Sequence, residues 1–118
     1  MQRFFRSVGF ALNGLLQLIR HERNFQLHVI AFIGVLALGL FFGISSMEWL
    51  VIFLISALVM GLEAINTAIE NLCDLYSTET NERIKKIKDI SAGAVLIAAL
   101  LALCIAVVVF LPYVKRVM

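Results

Sequence analysis

Three apolar stretches divide the chain, and its polar residues gather between them. Residues 27–44 are interrupted only by His28, residues 49–62 run on into a polar stripe, and residues 90–111 hold only scattered Ser and Gly. A membrane span needs about 20 residues at about 1.5 Å each. The first and third stretches come close alone, and the second reaches that length by including its polar end. The pattern predicts three transmembrane helices, at residues 22–44, 47–75 and 88–112. Ahead of them Phe5, Val8, Leu12, Leu15 or Leu16, and Ile19 recur at helical spacing, with Arg3, Arg6, Asn13, Gln17 and Arg20 opposite. That periodicity predicts an amphipathic helix over residues 1–21, lying on a membrane surface with its arginines toward water or lipid phosphate. The expected fold is an all-α membrane protein with one surface helix and three transmembrane helices. All 118 residues form one membrane-embedded domain.

Composition strengthens this reading. Of 118 residues 62% are hydrophobic and one is proline, and the mean hydropathy is +0.99. A soluble domain carries closer to half apolar residues. No cleavable signal peptide is expected, because the first twenty residues lack a continuous apolar core before a small-residue cleavage site. Net charge is only +2, so its placement says more than its size. Arg3, Arg6, Arg20 and Arg23 precede the first span, and Arg83, Lys85, Lys86 and Lys88 lie between the second and third. The link at residues 43–48 carries no basic residue. The positive-inside rule then puts the N-terminus and the second loop in the cytoplasm, with Lys115 and Arg116 outside. Cys73 and Cys104 form no metal or redox spacing and read as small apolar residues.

The chemistry concentrates on one stripe. Glu63, Asn66, Glu70 and Asp74 are spaced 3, 4 and 4, which on a helix is one narrow face. A carboxylate inside a membrane costs roughly 3 kcal/mol or more, so this face needs a compensating partner. A hard, oxygen-liganded cation such as Mg²⁺ suits carboxylates. Orientation puts Asp74 near the cytoplasmic surface, with Glu63 about 16 Å deeper along the helix. Glu22, at the start of the first span, and Lys88 and Asp89, at the start of the third, reach the same boundary. Glu48 at the opposite boundary reads as interface decoration beside Trp49. A structural role, in which Glu63 and Glu70 pair with basic residues of a neighbouring helix, is the alternative. Neither G-x-x-x-x-G-K-[ST] nor G-x-G-x-x-G occurs, so a nucleotide would be held by metal, basic side chains and the loop after the second span.

The run Glu63-Ala64-Ile65-Asn66-Thr67-Ala68-Ile69-Glu70, then Asp74, then Lys88-Asp89 and Ala92-Gly93-Ala94-Val95-Leu96, resembles the small integral-membrane diacylglycerol kinase family of prokaryotes. Glu22-Arg23-Asn24-Phe25-Gln26-Leu27-His28, with Glu48-Trp49 after the first span, is most similar to its undecaprenol kinase branch. The resemblance covers the chain from about Arg3 to Pro112. It implies a homotrimer with active sites between subunits at the cytoplasmic face of the inner membrane. It further implies Glu63 as catalytic base, and Glu22 and Glu70 as ligands of Mg²⁺ on the ATP phosphates. Arg3, Phe10, Asp74, Glu79, Thr80, Asn81, Lys88 and Asp89 match the ATP-binding shell, while Asn66, His28 and Ala92 join Glu63 around the lipid substrate. Two positions depart from the family: Phe10 stands where some members have Tyr, and His28 replaces an acidic residue of the diacylglycerol-specific branch.

The expected function is ATP- and Mg²⁺-dependent phosphorylation of a membrane lipid alcohol, with undecaprenol favoured and diacylglycerol the alternative. No nucleic-acid partner is expected. A small proton-coupled transporter would need its carboxylate near the bilayer midplane and usually more spans, whereas the acidic residues here cluster at one interface. A structural subunit of a larger complex would show no nucleotide dependence.

Overall fold

The computed structural model of the protein describes residues 1–77, 79 and 81–118. They form four helices: α1 (Gln2–His21), α2 (Arg23–Phe42), α3 (Ser46–Tyr76) and α4 (Glu82–Val117). The last three are each long and apolar enough to cross a membrane. Helix α1 buries none of its residues, so Phe5, Leu12 and Ile19 remain exposed. An apolar stripe left bare beside arginines is the mark of a helix lying in the membrane interface. The all-helical membrane fold read from the sequence is the one adopted.

The connections are short and chemically specified. Glu22 alone separates α1 from α2, with an extended backbone. Its N–H donates to the Leu18 carbonyl at 3.0 Å, and Gln26 Nε2 donates to the Ile19 carbonyl at 2.8 Å. These bonds satisfy carbonyls that a helix end would otherwise leave bare. Between α2 and α3 the chain turns at Gly43, whose φ of +63° lies in the left-handed region that side chains disfavour. A capping box then starts α3: the Glu48 N–H donates to Ser45 Oγ at 3.2 Å, and the Ser45 N–H donates to Glu48 Oε1 at 2.9 Å. Such reciprocal bonding satisfies two orphan donors at once. Asn81 opens α4 by accepting from the Arg83 N–H at 2.8 Å.

Packing is strongest between α3 and α4, weaker between α2 and α3, and weaker again between α1 and α2. The buried apolar core lies at the Glu48 end, where Ile44, Ile52, Val109 and Phe110 meet. Gly39 allows the Trp49 ring to lie against α2, for a Cβ there would stand 2.5 Å from the ring. Tyr113 donates its hydroxyl proton to Glu48 Oε1, and Arg116 lies over the Tyr113 ring, 5.5 Å from its centroid. Glu48 is therefore a structural group joining α3 to α4 rather than simple interface decoration.

At about 1.5 Å per residue the 31 residues of α3 and 36 of α4 reach about 46 and 54 Å, well beyond a hydrocarbon core of about 30 Å. The molecule measures 54 × 43 × 21 Å, so it is about two helices thick. Counted from Trp49 at one interface, the hydrocarbon ends near Ile69. Glu63 then lies about 9 Å inside that boundary and Asp74 about 7 Å beyond it.

Candidate functional site

Packing against α2 and α4 buries the deep part of the polar stripe. Glu63 and Asn66 are each 4% exposed and Thr67 is 6% exposed. His28, on the second turn of α2, brings Nε2 to 3.8 Å from Glu63 Oε2. Asn66 Nδ2 donates to Glu70 Oε1 at 3.3 Å, while the buried Asn66 Oδ1 has no hydrogen-bond partner. An orphaned buried acceptor costs roughly 1–3 kcal/mol. It lies one turn from the buried Glu63 carboxylate, so two buried acceptors sit together on this face of α3.

Two clefts open from this face. The deeper one, of about 350 Å³, is lined by His28, Glu63, Asn66, Glu70 and Ala92 among others. The other, of about 210 Å³, lies at the projecting ends of α3 and α4 and is lined by Asp74, Glu79, Asn81 and Lys88. Lys88 Nζ donates to Asp74 Oδ1 at 2.7 Å and so joins the two helices across that cleft. Asp89 pairs with Lys85 one turn away on α4, at 2.7 Å, and lines neither cleft. Arg3 and Phe10, both exposed on α1, also line neither. Thr80 lies outside the described residues. The fold thus sorts the candidate residues by chemistry: a buried carboxylate and amide in the deep cleft, and a lysine with shorter polar groups in the shallow one.

Two polar residues on this face are not marked by charge or by the spacing of the carboxylates. Asn24 lines the deep cleft; its position one turn before His28 is the signal that points to it. Thr67 follows Glu63 by four residues and shares its face.

The model of the family described as prokaryotic diacylglycerol kinase matches residues 9–110. The chain belongs to this family. It is 39% identical over 112 residues to the undecaprenol kinase of Bacillus subtilis, covering 95% of this chain and 91% of that one. It is 34% identical over 107 residues to a diacylglycerol kinase of Synechocystis, covering 90% of this chain but 61% of that longer one. A diacylglycerol kinase of Haemophilus influenzae is 30% identical over 104 residues, covering 88% of this chain and 85% of that one. The chain is therefore an enzyme of a lipid kinase family, built into a membrane.

Glu22 and Glu70 are the acidic residues whose oxygens would suit a hard divalent cation beside Glu63. Glu22 caps α2 in position only, for its carboxylate makes no capping bond. Glu22 and Glu70 both lie near enough to Glu63 to act on it electrostatically. No group of three or more His, Cys, Asp or Glu is gathered for a metal among the described residues. Two carboxylates are nonetheless the usual protein contribution for Mg²⁺, which keeps waters and takes further oxygens from substrate phosphates.

Proposed function

We propose that this protein is an ATP- and Mg²⁺-dependent kinase that phosphorylates the hydroxyl of a lipid alcohol in the bilayer, with undecaprenol as the favoured substrate. The observation that carries the reading is the buried pair Glu63 and Asn66. Glu63 is a proton acceptor held about 9 Å below the hydrocarbon boundary, beside an Asn66 Oδ1 that lacks a partner. An alcohol entering from the bilayer would donate its proton to Glu63 as its oxygen bonds to the γ-phosphorus of ATP, while the bond from that phosphorus to the β–γ bridging oxygen breaks and ADP leaves. Asn66, tied to Glu70, holds the polar wall of that cleft in place.

Phosphoryl transfer demands chiefly positioning and charge neutralisation. Glu22 and Glu70 would hold Mg²⁺, which would supply neutralisation of charge on the transferring phosphoryl oxygens. Lys88 and the polar groups of the shallow cleft bind and orient the phosphate chain, and Asp74 holds the Lys88 ammonium at 2.7 Å. Arg3 and Phe10 come from the exposed face of α1, so their share in the ATP shell requires a second copy or a folded-back α1. A homotrimer with sites between subunits meets that need. The basic residues ahead of and at the start of α2 and on the first turns of α4 support a cytoplasmic site in the inner membrane.

Undecaprenol is favoured because the relative sharing 39% identity bears that name and because His28 is the only polar side chain on α2 beyond Gln26. A diacylglycerol has ester carbonyls that need partners, which a polyprenol lacks. Diacylglycerol is the second reading, supported by the names of the Synechocystis and Haemophilus relatives. The test is phosphate transfer from labelled ATP to both lipids in parallel, with purified protein in bilayers. A higher kcat/KM for undecaprenol is expected. A preference for diacylglycerol reverses the substrate choice, and no transfer to either lipid removes the kinase reading.

A further inference from the structure

The deep polar cleft continues into a second, apolar groove, and the two share His28 and Ala99. The groove has a volume of about 290 Å³ and is walled by three helices: α2 from His28 to Val35, α3 from Met60 back to Ser56, and α4 from Ala99 to Ala106. Its register is consistent on all three. His28 stands beside Glu63. Ala99 follows Lys88 by eleven residues, as Glu63 precedes Asp74, the partner of Lys88, by eleven. Ala99 is therefore level with Glu63. From that level the groove runs seven residues to Val35 on α2, seven to Ala106 on α4 and seven to Ser56 on α3, about 10 Å on each helix. It leads away from Asp74, toward the middle of the bilayer.

The lining is apolar between His28 at the neck and Ser56 at the far end. Ala99, Ala102 and Ala106, spaced 3 and 4, put small side chains along one face of α4, and this is what keeps the groove open. Ala31 and Leu103 are exposed at its rim, so a chain can slide in sideways from the surrounding lipid. Together the two clefts match the about 300–1,000 Å³ of a ligand site, with polar groups at one end and hydrocarbon at the other. That is the profile of an amphiphile with a single polar terminus.

We infer that this groove holds the first isoprene units of the polyprenol whose hydroxyl meets Glu63, and that Ala99, Ala102 and Ala106 set the width that its methyl branches require. The inference rests on the lipid-alcohol reading above and adds to it the residues that select the chain. A straight acyl chain fills less of this width, so it loses fewer packing contacts when the groove is narrowed.

The experiment substitutes Ala102→Leu and Ala106→Leu and measures kcat/KM in bilayer nanodiscs for undecaprenol and for 3-methyl-2-buten-1-ol, a single-isoprene alcohol that ends short of Ala106. One excess or missing methylene in an apolar pocket changes selectivity by about 10–200-fold. The ratio of undecaprenol to short-alcohol kcat/KM is expected to fall about tenfold or more in Ala106→Leu. An unchanged ratio with wild-type turnover overturns the groove assignment and leaves the kinase reading intact. Equal losses on both alcohols, with dissociation of the assembly, give the groove to a helix of a second copy and also overturn it. A wild-type protein that phosphorylates neither alcohol removes the underlying reading. Should the variants fail to fold, a farnesol carrying a diazirine on its second isoprene unit is photolysed with the wild-type protein. Labelling of Phe32, Val35 or Leu103 supports the assignment, and labelling confined to residues outside the groove overturns it.

Discussion

Replacing Glu63 by Gln removes a proton acceptor while keeping the side chain's length and its place against His28. At 4% exposure there is no room for bulk water to take over the proton at that position, so the loss should approach the full value of general-base catalysis. That value is about 10²–10⁴-fold, or about 3–5 kcal/mol of barrier at 1.36 kcal/mol per tenfold. Stability should move the other way or not at all, because an amide is less costly to bury than a carboxylate. The KM for ATP should stay near wild type, since Glu63 takes the alcohol proton rather than holding the nucleotide, and the Asp74–Lys88 pair lies about 16 Å nearer the surface. Glu63→Asp is the companion variant: it keeps the charge but withdraws it, and a misplacement of about 1 Å can cost about 10²-fold. The assay is labelled phosphate transfer to undecaprenol in vesicles, with thermal unfolding of the same preparations. A Glu63→Gln enzyme with kcat within about threefold of wild type would refute the assignment of the base. A lowered Tm would refute the expectation that the buried amide costs no stability, and the Glu63→Asp variant then carries the test of the base.

Three further outcomes follow from other parts of the structure. Glu22→Ala and Glu70→Ala should each raise the Mg²⁺ concentration needed for half-maximal activity, and the double variant should lose less than the product of the single losses, since both oxygens serve one ion; a full product in a Mg²⁺ titration contradicts a shared ion. Lys88→Ala should raise the KM for ATP while leaving Tm almost unchanged, because an exposed ion pair such as Lys88–Asp74 stabilises little; a large drop in Tm with an unaltered KM would make Lys88 a structural tie instead. Gly39→Leu should destabilise the fold by about 1–3 kcal/mol through overpacking against Trp49, read as a lowered midpoint in denaturation, yet leave KM for ATP intact because the strain sits at the opposite end from Lys88; a Tm equal to wild type shows that the Trp49 ring can move aside.

The long-range logic of the fold was legible because membranes enforce it. Apolar runs of span length and the 3-4-4 spacing of Glu63, Asn66, Glu70 and Asp74 have few other physical solutions. What the sequence could not disclose was which residue on another helix each of these faces. His28 meets Glu63 and Lys88 meets Asp74 because α2 and α4 settle in particular registers on α3, and register depends on packing at the Glu48 end. Glu48 itself was legible only as a boundary residue. Its bond to Tyr113, 65 positions later, and its part in the cap with Ser45 are products of tertiary closure. Asn81 appeared as a loop residue, whereas its Oδ1 is engaged in starting α4. The buried Thr67 carries no charge and so leaves no trace in a pattern of charges.

A body only 21 Å deep has almost no interior of its own. Most of its large apolar side chains face outward, toward lipid tails or toward another copy, and the groove beside Glu63 is walled on three sides only. The surrounding amphiphile is therefore a structural component of the enzyme rather than its container. Once extracted, the protein takes on whatever chain geometry the detergent offers, and a melting curve recorded in micelles describes a composite of polypeptide and soap. Comparisons of variants are meaningful only when that second component is held constant.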